Sequence, residues 1–279
     1  MSGEERMKEY EKRLRETTIP STHVSGAGKV HIEGIGDIRI SGSGIISPEE
    51  IKISGSGSLP GGLKVKKISC AGSVSIEGDV EAEEMSFSGS SSIAGNAYVK
   101  SLSASGSLSV GGEIKGSLLK AAGSCKVGKG VNLEDALQAH GAFKVLGNLE
   151  AKNLVELHGA FTVDGKVVTD KFEAELSRHE SHVRNGIEAV SVNVKSKGVE
   201  GLVIFGIPII GKIFHDGKLY TTNILAKETV YLENVCCENV YGKDVTIGKG
   251  CVIKGKVKYS GSISVHPEAK LTNPPEKSS

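Results

Sequence analysis

The feature of this sequence that most constrains its fold is an internal repeat of 17 or 18 residues. A glycine recurs at this interval through the middle of the chain, and most repeats carry a second glycine six residues later. The first glycine of each repeat is Gly55, Gly72, Gly89, Gly106, Gly123, Gly141 or Gly159. Self-similarity at a short fixed period predicts a chain that stacks one structural unit per repeat.

Apolar residues form three i, i+2 pairs within each repeat, and polar residues separate the pairs. One repeat supplies the pairs Ile68/Cys70, Val74/Ile76 and Val80/Ala82. Such a pair between polar residues is typical of a short strand with one buried face. Three strands per repeat predict an all-β fold, a triangular β-solenoid of about 17 to 18 residues per coil with glycines at its corners.

Successive repeats also align into unbroken aliphatic columns, as an inward-facing ladder requires. One column contains Leu59, Ile76, Ile93, Val110, Val127, Val145 and Val163. A second contains Ile51, Ile68, Met85, Leu102, Leu119, Leu137 and Val155. The intervening serine, lysine, glutamate and asparagine residues predict a solvated outer surface. Each coil buries little alone, so we expect its stability to come from its neighbours.

The repeat divides the chain into five predicted segments. Residues 1–21 are a charged N-terminal segment, either a solvated helix or disordered, with a docking or coiled-coil element as the alternative. Residues 22–171 form the main β-helix. Residues 172–229 are an irregular middle with strands, in which 172–185 form a short helix or a loop excursion. The C-terminal β-helix coils occupy 230–272, and 273–279 are a disordered tail.

Composition limits the partners and the compartment. A formal net charge of +1 gives no electrostatic reason to expect nucleic acid as a partner. The five cysteines are an odd number and follow no signal peptide, which predicts reduced thiols in a cytoplasmic protein. The longest apolar run, 201–211, is too short to span a bilayer. It predicts a buried strand, with docking on a membrane or a partner as the alternative.

The search for catalytic chemistry finds little. Glycine-rich stretches lack the Lys-Ser/Thr ending of a phosphate-binding loop. His140 and His158 occupy one slot in adjacent repeats, but the neighbouring repeats offer Ala122 and Ser105 there, which favours a polar corner. His179 and His182 would share a face of a helix and are the weak metal candidates. We therefore expect no catalytic residue, no cofactor and no metal.

The repeat register, with runs such as ISCAGSVSIEGDVEAEE and LSASGSLSVGGEIKG, resembles that of the bactofilins, or polymer-forming cytoskeletal proteins. The run ETVYLENVCCENVYGKDVTIGKGCVIKGKVKY is similar to the ending of the longer members. The resemblance covers roughly residues 24–272. It implies a right-handed β-helix that polymerises end to end without nucleotide and acts as a cytoskeletal scaffold, in the cytoplasm or peripherally at the inner face of the membrane.

Two enzyme-like or ligand-binding classes are the alternatives. Six-residue facets also build the solenoids of hexapeptide acyltransferases, and His215 or His266 could serve such an enzyme as a base. The 17-residue repeat and the bulky Val80, Ile114 and Leu149 argue against that class. A carbohydrate-binding β-helix would need long loops as the walls of a cleft, and 172–229 is the one region long enough to supply them.

The ends of the predicted solenoid suggest how the chain associates. Apolar pairs continue almost to both ends of the repeat, with no cap at the C-terminal end and only the charged segment 1–21 available as a lid at the other end. An uncapped coil exposes unpaired backbone groups and a slice of the core, which favours further stacking. We therefore predict self-assembly, with the chain itself as the main partner. The predicted contact residues are Val30, Ile32, Ile38, Ile40, Ile263, Val265, Ala269 and Leu271.

Overall fold

The computed structural model describes residues 19–197 and 217–278, with two short backbone strands between these ranges. The structure is all-β in this described part, with 73% strand, no helix and stacked parallel coils that form a β-solenoid of about 12 turns. The predicted β-solenoid is therefore confirmed. The chain divides into two compact units, Met1–Glu134 and Asp135–Ser279.

The first unit is built from long strands that bend around the corners of the coils. The strands are β1 (Thr22–Ile32), β2 (Gly36–Ile46), β3 (Glu50–Leu59), β4 (Leu63–Ile76), β5 (Val80–Ile93), β6 (Ala97–Val110), β7 (Ile114–Val127) and the start of β8 (Val131–Val145). The pairs β3–β4, β4–β5, β5–β6 and β6–β7 are all parallel, and each joins strands one repeat apart. Gly89 therefore lies beside Gly106, and Gly106 lies beside Gly123.

The two aliphatic columns face inward, as the sequence predicts. Every residue of both columns is at most 1% exposed. Along β6 the buried residues are Ala97, Val99, Leu102, Ala104, Leu108 and Val110. These residues are the three i, i+2 pairs of one coil. The core is therefore a narrow stack of small and medium aliphatic side chains. Each side chain packs against its counterparts in the two neighbouring coils.

The corner glycines have a conformation that other residues rarely adopt. Gly106 has a φ of 122°, and the corresponding glycine in each neighbouring coil is similar. A Cβ atom at Gly106 would lie 2.3 Å from the carbonyl oxygen of Gly89 in the preceding coil. Glycine is required here both for the positive φ and for the close approach of two backbones.

The first three strands differ from the prediction of β-helix coils beginning at residue 22. β1 pairs with β2, and β2 with β3, in antiparallel directions. Turns of three residues join these strands, but a turn of the same length also joins β3 to β4, so turn length does not explain the change of direction. Parallel coils begin with the pairing of β3 and β4. The predicted N-terminal segment lies largely outside the described residues.

The second unit continues with shorter strands. They are the rest of β8, β9 (Leu149–Ala151), β10 (Leu154–Val163), β11 (Val167–Leu176), β12 (Ser181–Val183), β13 (Ile187–Ser196), β14 (Val203–Ile204), β15 (Ile207–Pro208), β16 (Leu219–Thr221), β17 (Asn223–Leu232), β18 (Val235–Cys237), β19 (Asn239–Gly242), β20 (Asp244–Ile247), β21 (Val252–Ile253), β22 (Val257–Tyr259), β23 (Ile263–Val265), β24 (Lys270–Leu271) and β25 (Glu276–Lys277).

The middle segment is more regular than the sequence suggests. The predicted helix or loop excursion at 172–185 is wrong, because this stretch supplies the end of β11 and all of β12. Phe172, Ala174 and Leu176 are buried, while Glu173 and Glu175 between them point outward, and this period of two is that of a strand. β13 then pairs in parallel with β11 and β17. The side chains of the apolar run 201–211 lie outside the described residues.

The C-terminal tail is also ordered, in contrast to the prediction of disorder for 273–279. Glu276 and Lys277 form β25 and pair in parallel with Lys258 and Tyr259 of β22. The Asn273 side-chain amide donates a hydrogen bond of 3.0 Å to the carbonyl oxygen of Gly255. The tail therefore forms the third side of the last coil, because its backbone groups find partners in the coil before it.

Candidate functional site

The last coil of the second unit ends in an open β-edge. Strands β23, β24 and β25 pair with β20, β21 and β22 of the preceding coil. No pairing beyond them is present among the described residues. Val265 is 38% exposed, and Ile263 and Leu271 are half-buried, whereas Ile247 and Ile253 one coil earlier are fully buried. The inward columns therefore reach the end of the described coils and present a slice of apolar core to solvent.

The apolar side chains of the first strands in the first unit are more deeply buried. Ile32 and Ile38 are fully buried, Ile40 is 3% exposed, and Val30 is half-buried. β1 pairs with β2 along its whole length. Of the residues predicted to mediate assembly, those at the C-terminal edge are the more accessible.

A second candidate site is a cluster of polar side chains on the outer surface of the second unit. His140 lies on β8, and Glu156 and His158 lie on β10, the next strand in the stack. One ligand atom from each of these residues lies within 4.8 Å of the other two. His158 Nε2 is 3.2 Å from Glu156 Oε1, and the two imidazole rings are perpendicular with their centroids 4.7 Å apart. The arrangement brings two imidazoles and a carboxylate to one point.

Polar neighbours orient this cluster. The Gln138 side-chain amide donates a hydrogen bond of 2.7 Å to Glu156 Oε2, which leaves Oε1 directed toward His158. Glu175 Oε2 lies 3.9 Å from His158 Nδ1 on the opposite side of the ring. Lys197 Nζ lies 3.6 Å from the other oxygen of Glu175. Both nitrogens of His158 therefore face carboxylates.

The sequence predicted the stacking of His140 on His158 but missed Glu156. His140 and His158 belong to one outward column of the repeats, and Glu156 belongs to the adjacent outward column. A strand places residues i and i+2 on one face, so Glu156 and His158 share a face. Inspecting both outward positions of each strand would have identified the carboxylate.

The structure does not bring His179 and His182 together as metal ligands. His179 precedes β12, and His182 stacks on Tyr220 with a centroid distance of 5.2 Å. The Tyr220 hydroxyl donates a hydrogen bond of 3.2 Å to Glu180 Oε1. Neither histidine belongs to a metal-ligating cluster within the part of the chain that the structure describes. The shared helical face that made them candidates is absent, because the segment there is a strand.

A groove of about 540 Å³ lies on the outward face of the first unit. Rows of serines from successive coils line it, including Ser73, Ser90 and Ser107, and Lys126 is the one charged residue among its described lining. Ser91 also lines it, and its hydroxyl is buried without a hydrogen-bond partner in the described structure. The groove offers hydroxyl groups but no acid–base pair.

The cysteines are free, and most are core residues. Cys70, Cys125, Cys237 and Cys251 are buried, whereas Cys236 is half-buried. Desolvation by burial raises the pKa of the Cys125 thiol to about 12 and that of Cys251 to about 11. It also raises the pKa values of Cys70 and Cys237. The thiolate is the reactive form, so these four thiols are inert while the protein is folded.

Thiol labelling of the native protein should therefore show one fast-reacting group. We expect Ellman's reagent near pH 8 to titrate Cys236 first and the other four thiols only after unfolding in denaturant. Cys236→Ser should remove the fast phase and leave the slow phase unchanged. Two or more fast thiols in the folded wild type would contradict the burial of the core cysteines.

In the described part of the chain, no helix combines the length and apolarity needed to cross a membrane. Comparison with protein-family models, with curated proteins and with solved structures finds no match to this chain.

Proposed function

We propose that this protein is a non-catalytic scaffold that self-assembles end to end through its solenoid coils, without nucleotide, in the manner of the bactofilins that its repeats resemble. The observation that carries the proposal is the open C-terminal edge, where three strands pair on one side only among the residues that the structure describes. A second copy is the partner that matches this edge, because the solenoid is itself a stack of such coils.

The chemistry of the edge supports stacking. Unpaired strand edges template further strands unless charge, proline or a covering element blocks them. β24 and β25 carry the charged residues Lys270, Glu276 and Lys277, whereas β23 carries none, so the case for stacking rests on β23. A stacked coil would satisfy the free backbone groups of β23 to β25 and cover Ile263, Val265 and Leu271. Burial of apolar side chains is not an ionic interaction, so high salt should not dissolve the assembly.

The free thiols support a reducing compartment. All five cysteines are free, and disulfides are rare in cytosolic proteins. The proposal accordingly places the scaffold in the cytoplasm, where its outward faces could hold client proteins or lie against the inner surface of a membrane.

Val265→Lys tests the proposal. We expect wild-type protein at a few tens of micromolar to form filaments or end-to-end oligomers in high salt without nucleotide. Val265→Lys places a charge on the edge and should shift the protein to smaller species with an unchanged melting temperature. Light scattering, sedimentation and negative-stain electron microscopy measure the outcome.

Val168→Lys is the matched control. Val168 has the same 38% exposure as Val265, but it lies on β11, which pairs with β9 and β13 on both sides. The Val168→Lys variant should assemble as the wild type does. A wild type that stays monomeric would overturn the scaffold proposal, and a Val265→Lys variant that assembles normally would show that this edge is not the contact.

A further inference from the structure

We propose that His140, Glu156 and His158 form a binding site for a divalent transition cation of the zinc class. The proposal rests on the geometry of three side chains from two adjacent coils, whose ligand atoms lie within 4.8 Å of one another. It goes beyond self-assembly and differs from the sequence-based expectation that the chain binds no metal.

Stacking of the coils places the two histidines. His140 and His158 are register partners on β8 and β10, as are the glycines that follow them. Parallel strands about 4.8 Å apart put equivalent side chains at a separation that one ion can bridge. The measured centroid distance of 4.7 Å and the perpendicular rings show that the two imidazoles already approach each other.

Glu156 completes a set of ligands that zinc accepts. Two imidazole nitrogens and one carboxylate oxygen are a known three-residue zinc set, with the fourth position left for water or another ligand. Imidazole nitrogens favour zinc, copper and nickel over calcium and magnesium, which prefer oxygen ligands. His140 is exposed, and Glu156 and His158 are half-buried, so an ion can enter from solvent.

The surrounding groups match those that usually support a metal ligand. Ligating histidines commonly direct their second ring nitrogen at a carboxylate, and ligating carboxylates accept further hydrogen bonds. Glu175 faces His158 Nδ1, which leaves Nε2 beside Glu156 for the ion. Gln138 holds the second oxygen of Glu156. Gln138 and Glu175 are therefore positioning residues, and the three proposed ligands contact the metal.

A bound ion would clip neighbouring coils together. Its ligands come from β8 and β10, which folding brings into register, so the ion should bind the folded chain more tightly than the unfolded chain. Zinc should therefore raise the melting temperature of the protein, and a chelator should reverse the increase.

The test uses the untagged full chain after treatment with a chelator. We expect calorimetric titration with Zn²⁺ to show one site per chain, and Co²⁺ in its place to give the visible absorption bands of a low-coordinate site. His158→Ala should abolish saturable binding up to about 100 times the wild-type Kd. Glu156→Gln, which keeps the side-chain shape, should weaken binding by at least tenfold.

The double variant His179→Ala/His182→Ala is the control, because it removes two histidines of the same unit outside the cluster. It should bind zinc with the wild-type stoichiometry and affinity. Circular dichroism melts without metal should show that all variants remain folded. Absence of saturable binding to the wild type would overturn the proposal. Wild-type binding by both His158→Ala and Glu156→Gln, or loss of binding in the control, would also overturn it.

Discussion

Val110→Asp is expected to cause the largest loss of stability of any change considered for this protein. Val110 is 1% exposed and lies in an aliphatic column between Ile93 and Val127 of the adjacent coils. The carboxylate would have no partner there, since its neighbours along the column are aliphatic. Burial of an unpaired charge belongs to the mechanisms that cost about 4 kcal/mol or more.

Thermal and denaturant unfolding followed by circular dichroism measure this loss. Ser109→Asp is the matched control, because it introduces the same side chain one residue earlier on the outward, exposed face of β6. We expect it to change the free energy of unfolding by no more than about 0.5 kcal/mol, as for an ordinary surface substitution. Equal melting temperatures for the two variants would show that the inward register is wrong.

Gly106→Ala is expected to have the next largest effect, although it adds a single methyl group. The alanine would have to adopt a φ near 122°, and its Cβ would lie 2.3 Å from the carbonyl oxygen of Gly89. Backbone strain and overpacking together should cost about 2 to 6 kcal/mol. The clash is with backbone, so it can be relieved only by separating two coils.

Gly62→Ala separates strain from the clash. Gly62 also has a positive φ, of 79°, but an added Cβ would meet nothing within 4 Å. This variant should lose only about 1 to 2 kcal/mol, the cost of the left-handed conformation for a residue with a side chain. Chemical denaturation of both variants gives the comparison. If Gly106→Ala were no less stable than Gly62→Ala, close backbone contact at the corners would be disproved.

The antiparallel direction of the first strands could not be predicted from the sequence. Ile38 and Ile40 follow the same alternation as later inward pairs, and both are buried as that alternation predicts. A period of two specifies which side chains face the core but not whether the neighbouring strand is parallel or antiparallel. Turn length does not specify it either, because three-residue turns join β1 to β2 and β2 to β3, which are antiparallel, and also β3 to β4, which are parallel.

Two other segments were misjudged because composition and local pattern compete with tertiary pairing. The stretch Phe172 to Asn185 is compatible with a short helix or a loop excursion, and the tail 273–279, with its two prolines, is compatible with disorder. Each instead pairs with a coil already in place, β11 with β10 and β25 with β22. An existing strand edge supplies hydrogen-bond partners that no local propensity can anticipate.

The candidate metal site could be predicted from the sequence only in part. An 18-residue interval places His140 beside His158, and this stacking can be read from the repeat alone. The side-chain conformations that direct Glu156 Oε1 and His158 Nε2 to one point depend on Gln138 and Glu175, which come from two different strands. Such convergence is a property of the stack and not of any single repeat.

The local pattern that every coil repeats was enough to predict the solenoid, the inward columns and the corner glycines. Long-range pairing specified the strand directions at the beginning, the coils of the described middle, the pairing of the tail and the assembly of the His–Glu cluster. Burial follows a short period in the sequence, whereas pairing partners and converging side chains depend on which coils are neighbours.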